Sequence, residues 1–75
     1  MMIQVGNVGV GKVFLYDGAL FVVMPFDWDS EKYFNLCIAS DNDESYEVGE
    51  YYDFKEVTEV EEVSSKALKN AFISK

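Results

Sequence analysis

The segment Gly6 to Lys12 carries the glycine and lysine spacing of a phosphate-binding loop. In that motif, G-x-x-x-x-G-K-[ST], backbone N–H groups hold the phosphates and a Ser or Thr hydroxyl binds Mg²⁺. The hydroxyl position is Val13 here. The following residues favour a hairpin, whereas the phosphates require the N-terminus of a helix. The sequence therefore predicts a glycine-rich turn and no nucleotide or other cofactor.

The segment Asp41 to Ser45 begins like a calcium-binding loop. Such a loop needs glycine at its sixth position and glutamate at its twelfth. Tyr46 and Tyr52 hold those positions here, and the segment Asp27 to Lys32 fails at its sixth position in the same way. We predict solvated acidic turns in both places and no metal site.

Catalytic side chains are scarce in this chain. It contains no histidine, so it has neither an imidazole base nor a histidine-anchored metal site. Its one cysteine, Cys37, lies between Leu36 and Ile38 with no neighbouring cation to activate a thiolate. We expect a buried structural thiol, and we expect that the protein is not an enzyme.

Length and composition predict one folded domain spanning residues 1–75. Hydrophobic residues make up 49% and aromatic residues 16% of the chain, which is too rich for a disordered segment. The longest apolar run, from Ala19 to Phe26, is far shorter than a membrane helix and contains Pro25. The first residues lack a basic signal-peptide region. A single cysteine fits a cytoplasmic location.

The charge is strongly segregated along the chain. The net charge is −8, and thirteen of the fourteen acidic residues lie between positions 27 and 62, with only two lysines among them. A field of this sign repels phosphate backbones and anionic lipids. The chain also has no arginine to clamp a phosphate. We therefore expect no direct binding to nucleic acid and no membrane association.

A hairpin is the clearest local element. Asp17-Gly18 suits a type I′ turn, and the apolar runs Lys12 to Tyr16 and Ala19 to Met24 flank it. The two-residue loop predicts a register with Tyr16 opposite Ala19. Both faces of this hairpin are apolar, so each must be covered. A small barrel interior would take one face; the C-terminal helix, a second copy of the chain or a foreign partner would take the other.

The remaining elements follow from shorter patterns. We predict strands at Met2–Val5, Tyr33–Ala39, Ser45–Val48 and Glu50–Phe54, and a helical tail at about 64–74 with Ser64 as its N-cap. Residues 55–63 fit either a strand or a helix.

Two features favour binding to another macromolecule. The only tryptophan, Trp28, lies in an acidic loop beside Phe26, and tryptophan is enriched at binding hot spots. The alternative is that Trp28 plugs one end of a barrel. The acidic residues form the second feature, since carboxylates two residues apart on a strand rise roughly 7 Å and can imitate a phosphate backbone. The alternative is that these charges serve solubility. The candidate partner-binding residues are Phe26, Asp27, Trp28, Asp29, Glu31, Asp41, Asp43, Glu44, Glu47 and Glu50.

The pattern of aromatic, glycine and asparagine positions over residues 9–63 resembles small bacteriophage proteins of unknown or host-directed role. The hairpin run G-x-x-F-x-Y-x-G-x-x-F begins at Gly11, and the segments Asn35–Ala39 and Gly49-Glu50 with Phe54 follow it. The resemblance implies a small SH3-like barrel and a phage origin, and it carries over no catalytic residue. The acidic insert between Ala39 and Gly49 and the helical tail depart from this pattern.

These observations lead to one expectation and one alternative. We expect a small SH3-like antiparallel β-barrel with a short C-terminal helix, encoded by a phage and located in the host cytoplasm. It would bind and modulate a bacterial host protein with a basic surface, in one version as a nucleic-acid mimic. The alternative is a structural or self-assembling module that uses the second apolar face of the 12–24 hairpin as a homo-oligomer interface.

Overall fold

The computed structural model describes residues 2–64, which form a mainly β domain, as the sequence predicts. The six strands are β1 (Met2–Gln4), β2 (Val13–Tyr16), β3 (Ala19–Val23), β4 (Asn35–Ser40), β5 (Tyr51–Tyr52) and β6 (Glu59–Val63), and a short 3-10 helix, Val5–Asn7, follows β1. All pairings are antiparallel, and the strands form one sheet in the order β1-β6-β2-β3-β4-β5.

The sheet is open within the described residues. Its edges are β1 and β5, and no pairing joins these two strands within residues 2–64. Closure into the predicted SH3-like barrel is therefore not shown. The predicted helical tail at about 64–74 lies outside the described residues, apart from Ser64 at its start.

The β2–β3 hairpin confirms the predicted turn and register. Asp17 has φ 48° and Gly18 has φ 81°, which are the positive values that a type I′ turn requires at both central residues. Tyr16 pairs with Ala19, and the pairing continues in register along both strands. The turn is short because both of its residues accept a backbone conformation that most side chains disfavour.

The inner face of the sheet carries an aromatic core. Phe14, Phe21 and Val60 are fully buried on it. The two phenylalanine rings stack with centroids 5.4 Å apart, and Phe54 packs edge-on against both of them at 5.7 and 5.0 Å. Tyr52 also packs against this core. Phe54 lies in the connection from β5 back to β6, which brings its ring over β2 and β3.

The outer face of the sheet is apolar as well. One row of paired residues crosses five strands and consists of Val63, Val13, Val22, Leu36 and Tyr51. The predicted two-sided apolar character of the hairpin is thus confirmed. Exposure varies along this row, with Tyr51 exposed and Val13 buried.

Three strand predictions differ from the structure by two residues or more, and the predicted Met2–Val5 strand ends one residue earlier, at Gln4. Residues Ser45–Val48 were predicted as a strand, which is wrong: the amide N–H of Tyr46 donates to the carbonyl of Asn42 at 2.8 Å and closes a turn there. This turn directs the Tyr46 ring against Phe21, with centroids 5.1 Å apart. The predicted Glu50–Phe54 strand shortens to β5. The predicted Tyr33–Ala39 strand begins two residues later, as β4.

Residues 55–63, which the pattern left open, contain β6. This strand lies between β1 and β2, where Val60 pairs with Ile3 and Val63 with Val13. It is an interior strand of the sheet, because it pairs with β1 on one side and with β2 on the other. Long-range pairing therefore decides between strand and helix in this segment.

Candidate partner-binding site

The loop between β3 and β4 is held in a defined shape by its own hydrogen bonds. The amide of Asp27 donates to the carbonyl of Lys32 at 2.9 Å, and the amide of Lys32 donates back to Asp27 at 3.3 Å. Glu31 closes this turn with φ 56°, in the left-handed region. We call residues 25–33 the aromatic loop. Its backbone is fixed although most of its side chains face solvent.

The carboxylate of Asp27 organises the tip of the aromatic loop. It accepts a hydrogen bond from the amide of Asp29 at 3.1 Å and another from the hydroxyl of Ser30. Both bonds favour the charged form, so the Ser30 hydroxyl first and the Asp29 amide second lower the pKa of Asp27 below its ordinary value. Asp27 therefore shapes the loop in addition to contributing charge.

Trp28 projects from the tip of the aromatic loop and is 82% exposed. Its ring touches Phe26 edge-on with centroids 4.7 Å apart, and Phe26 touches Tyr33 in the same way at 5.0 Å. The alternative in which Trp28 plugs the end of a barrel is therefore wrong. The three rings form a continuous aromatic surface, and the acidic residues Asp27, Asp29 and Glu31 belong to the same loop.

A cavity of about 380 Å³ lies beside the aromatic loop. Three chain segments far apart in sequence line it: residues 5–10, residues 31–35 of the loop and the start of β4, and residues 53–56. Val5, Val8 and Val23 supply buried apolar lining, and Phe26 connects the cavity to the aromatic surface. The cavity has a mixed lining of apolar, aromatic and charged groups.

Asn35 is the only buried polar residue within residues 2–64, and it lines this cavity. It is 2% exposed. Its Nδ2 donates to the backbone carbonyl of Tyr52 at 3.2 Å, while its Oδ1 is buried and accepts no hydrogen bond. Leaving a buried acceptor unpaired costs about 1–3 kcal/mol, so such groups are uncommon in folded proteins. Asn35 therefore gives the lining of this cavity one buried acceptor that lacks a protein partner within residues 2–64.

The charged lining of the cavity is predominantly acidic. Glu31, Asp53 and Glu56 are the acidic residues of the lining, all three belong to exposed positions, and Lys32 is the one basic residue. Lys32 pairs with Asp53 at 2.9 Å, and this is the only salt bridge within residues 2–64. Glu31 and Glu56 consequently have no ion-pair partner among residues 2–64.

The predicted site residues fall into separate groups. Phe26, Asp27, Trp28, Asp29 and Glu31 lie together in the aromatic loop. The acidic turn Asp41–Glu44 lies at the opposite end of β4, beside the hairpin turn, where the amide of Asp41 donates to the carbonyl of Gly18 at 2.8 Å. The six residues of β4 separate these two groups by about 20 Å.

Glu47 and Glu50 occupy a third place, along the edge of the sheet beyond β4. The amide of Cys37 donates to the carbonyl of Glu50 at 3.0 Å, which holds this edge against the middle of β4. All the predicted carboxylates except that of Asp27 belong to exposed residues. The predicted single acidic surface is therefore divided between the two ends and one edge of the sheet.

Sequence reasoning missed Asn35, Tyr33, Asp53 and Glu56 as members of the site. One signal was available for Asn35. It has the same strand parity as Cys37, so the predicted strand placed a polar side chain on its buried face. No short-range pattern could identify the other three, because the fold brings them together from distant segments.

Covalent chemistry has little support in the described part of the chain. Burial raises the pKa of the Cys37 thiol, which disfavours the reactive thiolate. Residues 2–64 contain no group of three or more side chains placed to hold a metal ion. No helix in this range is long and apolar enough to cross a membrane.

Comparison with protein families, with curated proteins and with solved structures finds no match for this chain.

Proposed function

We propose that this protein is a non-enzymatic binding protein that attaches to a basic surface of another protein. The observation that carries the proposal is Trp28, a large apolar ring held 82% exposed on a loop with a fixed backbone. A ring in this position gains hydrophobic contact on binding, and its loop loses little entropy because it is already ordered. Tryptophan is the residue type found most often at binding hot spots.

The charge of the surrounding surface defines the partner. The acidic residues Asp29 and Glu31 belong to the same loop as the ring, and the whole segment from 27 to 62 is strongly negative. Long-range attraction would draw a positively charged surface toward the loop and raise the association rate, most strongly at low salt. A basic protein is therefore the partner that this surface fits.

The proposal includes the setting in a phage-infected bacterium and the SH3-like form of the fold. The pattern resemblance to small phage proteins supports both. The single antiparallel sheet with an aromatic core on one face supports the second. In one version of the proposal the partner is a nucleic-acid-binding protein and the carboxylates imitate phosphates.

Affinity capture from a bacterial lysate tests the proposal. Wild-type protein and Trp28→Ala would serve as paired baits, with washes at low and high salt. We expect a basic protein that the wild type retains, that Trp28→Ala retains poorly and that salt releases. Competition by duplex DNA tests the mimic version. Capture of the same proteins by both baits at every salt concentration would contradict the proposal.

The outer face of the sheet supports a second candidate function, self-assembly. Leu15 and Tyr51 are exposed apolar residues of this face, and they would be buried if two copies of the chain met face to face. Light scattering of the wild type and of Leu15→Glu, a change on this face, tests it. A dimeric wild type and a monomeric, folded variant would favour self-assembly.

A further inference from the structure

We propose that the cavity beside the aromatic loop receives one arginine side chain of the partner protein. This inference rests on the proposed function and deepens it, because it assigns the chemistry of the bound group. The observations that carry it are the unpaired acceptor of Asn35, the unpaired carboxylates of the lining and the aromatic walls.

The ligand must donate hydrogen bonds. The free Oδ1 of Asn35 can only accept, and the amide orientation is fixed because Nδ2 already donates to Tyr52. A buried acceptor without a partner destabilises the empty cavity. Oδ1 has almost no accessible surface, so a donor in the cavity reaches it only when the Asn35 side chain shifts; the hydrogen bond then forms inside the protein, where it is stronger than in water.

The ligand must also be positively charged. Lys32 already neutralises Asp53, and the other two acidic residues of the lining, Glu31 and Glu56, have no ion-pair partner in the described part of the chain. An anionic ligand would face both of them. A cationic ligand would form charge-assisted hydrogen bonds, which are roughly twice as strong as those between neutral groups.

The shape and walls of the cavity favour guanidinium over ammonium. A volume of about 380 Å³ lies at the small end of ligand pockets and suits one long side chain. Phe26, Tyr33 and Phe54 provide ring surfaces in the lining, and a planar guanidinium stacks on such rings. Its five donors can serve Asn35 and two carboxylates together, whereas an ammonium is compact and strongly hydrated.

Trp28 lies close enough to the cavity to belong to the same binding site. Its ring contacts Phe26, which itself lines the cavity. A partner chain that inserts an arginine would therefore meet Trp28 with its adjacent residues. The cavity and the exposed ring would form two halves of one binding site.

A blocked tripeptide, acetyl-Gly-Arg-Gly-amide, is the probe for this cavity. Its binding to the full chain would be followed by NMR, with the side-chain amide of Asn35 and the indole of Trp28 as reporters. The control peptides replace arginine with lysine or with citrulline, its uncharged near-isostere. We expect saturable shifts at Asn35 with arginine, about tenfold weaker binding with lysine, and none with citrulline. Equal binding of all three peptides, or no shift with any of them, would overturn the assignment.

Two matched variants separate the cavity from the general charge of the protein. Glu31→Gln with Glu56→Gln removes two cavity carboxylates, and Glu59→Gln with Glu61→Gln removes two exposed carboxylates outside the lining. We expect the first pair to weaken arginine-peptide binding about tenfold or more and the second less than about twofold. Equal weakening by both pairs would overturn the proposal, because diffuse electrostatics would then explain the binding.

The same variants distinguish failure of this inference from failure of the proposed function. If the captured partner binds the folded cavity pair as tightly as the wild type but loses Trp28→Ala, the cavity assignment is wrong and the partner-binding role stands. If neither the cavity pair nor Trp28→Ala changes the affinity for the partner, both the cavity assignment and the proposed binding role are wrong.

Discussion

Replacing Trp28 with alanine should separate binding from folding more sharply than any other single change. The side chain is 82% exposed, and Phe26 is the only ring it packs against within residues 2–64. Its removal therefore exposes little core surface. We expect the free energy of unfolding to fall by no more than about 0.5 kcal/mol, as for other surface substitutions.

The effect on binding should be larger. A tryptophan side chain buries up to about 250 Å² when fully covered, and apolar burial contributes about 25 cal/mol per Å². Most of that area is still available on Trp28. If a partner covers about 80 Å² of it, the loss on substitution is about 2 kcal/mol, or roughly thirtyfold in Kd.

A calorimetric titration with the captured partner measures this loss, and circular dichroism checks folding. Met2→Ala is the matched control, because Met2 is a 58% exposed apolar residue on β1, away from the aromatic loop. We expect the tryptophan change alone to raise Kd, by a similar factor at low and high salt. An unchanged Kd for folded Trp28→Ala would refute the assignment of the loop as the apolar anchor.

Three further predictions concern the loops and the core. Gly18→Val should lower the free energy of unfolding by more than about 1 kcal/mol, because φ is 81° at this position, and Asp17→Asn is the tolerated control in a thermal melt. The pKa of Asp27 is lower in the folded than in the unfolded protein. The charged carboxylate therefore stabilises the loop fully above the unfolded-state pKa, and this stabilisation is lost as pH falls through the folded-state pKa. In an acid titration, the fluorescence of Trp28 should therefore change at a pH below the ordinary pKa of an aspartate. This transition should be absent in Asp27→Asn. The same transition in both proteins would contradict the prediction. Cys37 should react with a thiol reagent far more slowly in the native than in the unfolded protein, because it is buried and its pKa is raised, and equal rates would contradict the buried position.

Local chemistry explains which parts of the fold the sequence could predict. The hairpin was predictable because two adjacent residues, Asp17 and Gly18, supply the backbone conformation that fixes both turn and register. The position of β6 was not, because its pattern fits two structures and its pairing partners are about 45 to 60 residues away in the chain. The turn at Tyr46 was mispredicted because packing against Phe21 overrides the local strand preference.

The candidate site likewise has one part that the sequence could predict and one part that it could not. The aromatic loop was predictable because its residues are contiguous and its composition is unusual. The cavity was not, because its lining joins Val5, Glu31 and Glu56, which only the folded sheet brings together. Gly6 shows how closely two of these distant segments approach each other. Its amide donates to the carbonyl of Glu56 at 2.9 Å, and an added Cβ would lie only 3.1 Å from the Cβ of Glu56.

Reversing charge at one end of the sheet and then at the other tests the central claim most directly. Asp29→Lys with Glu31→Lys changes the aromatic loop, and Asp41→Lys with Asp43→Lys makes the same change in net charge about 20 Å away. The measurement is the Kd for the captured partner at two salt concentrations, with folding verified. The account predicts that the loop pair abolishes binding, that the distant pair weakens it moderately, and that salt weakens binding of the wild type. Wild-type affinity in the folded loop pair at both salt concentrations would contradict it.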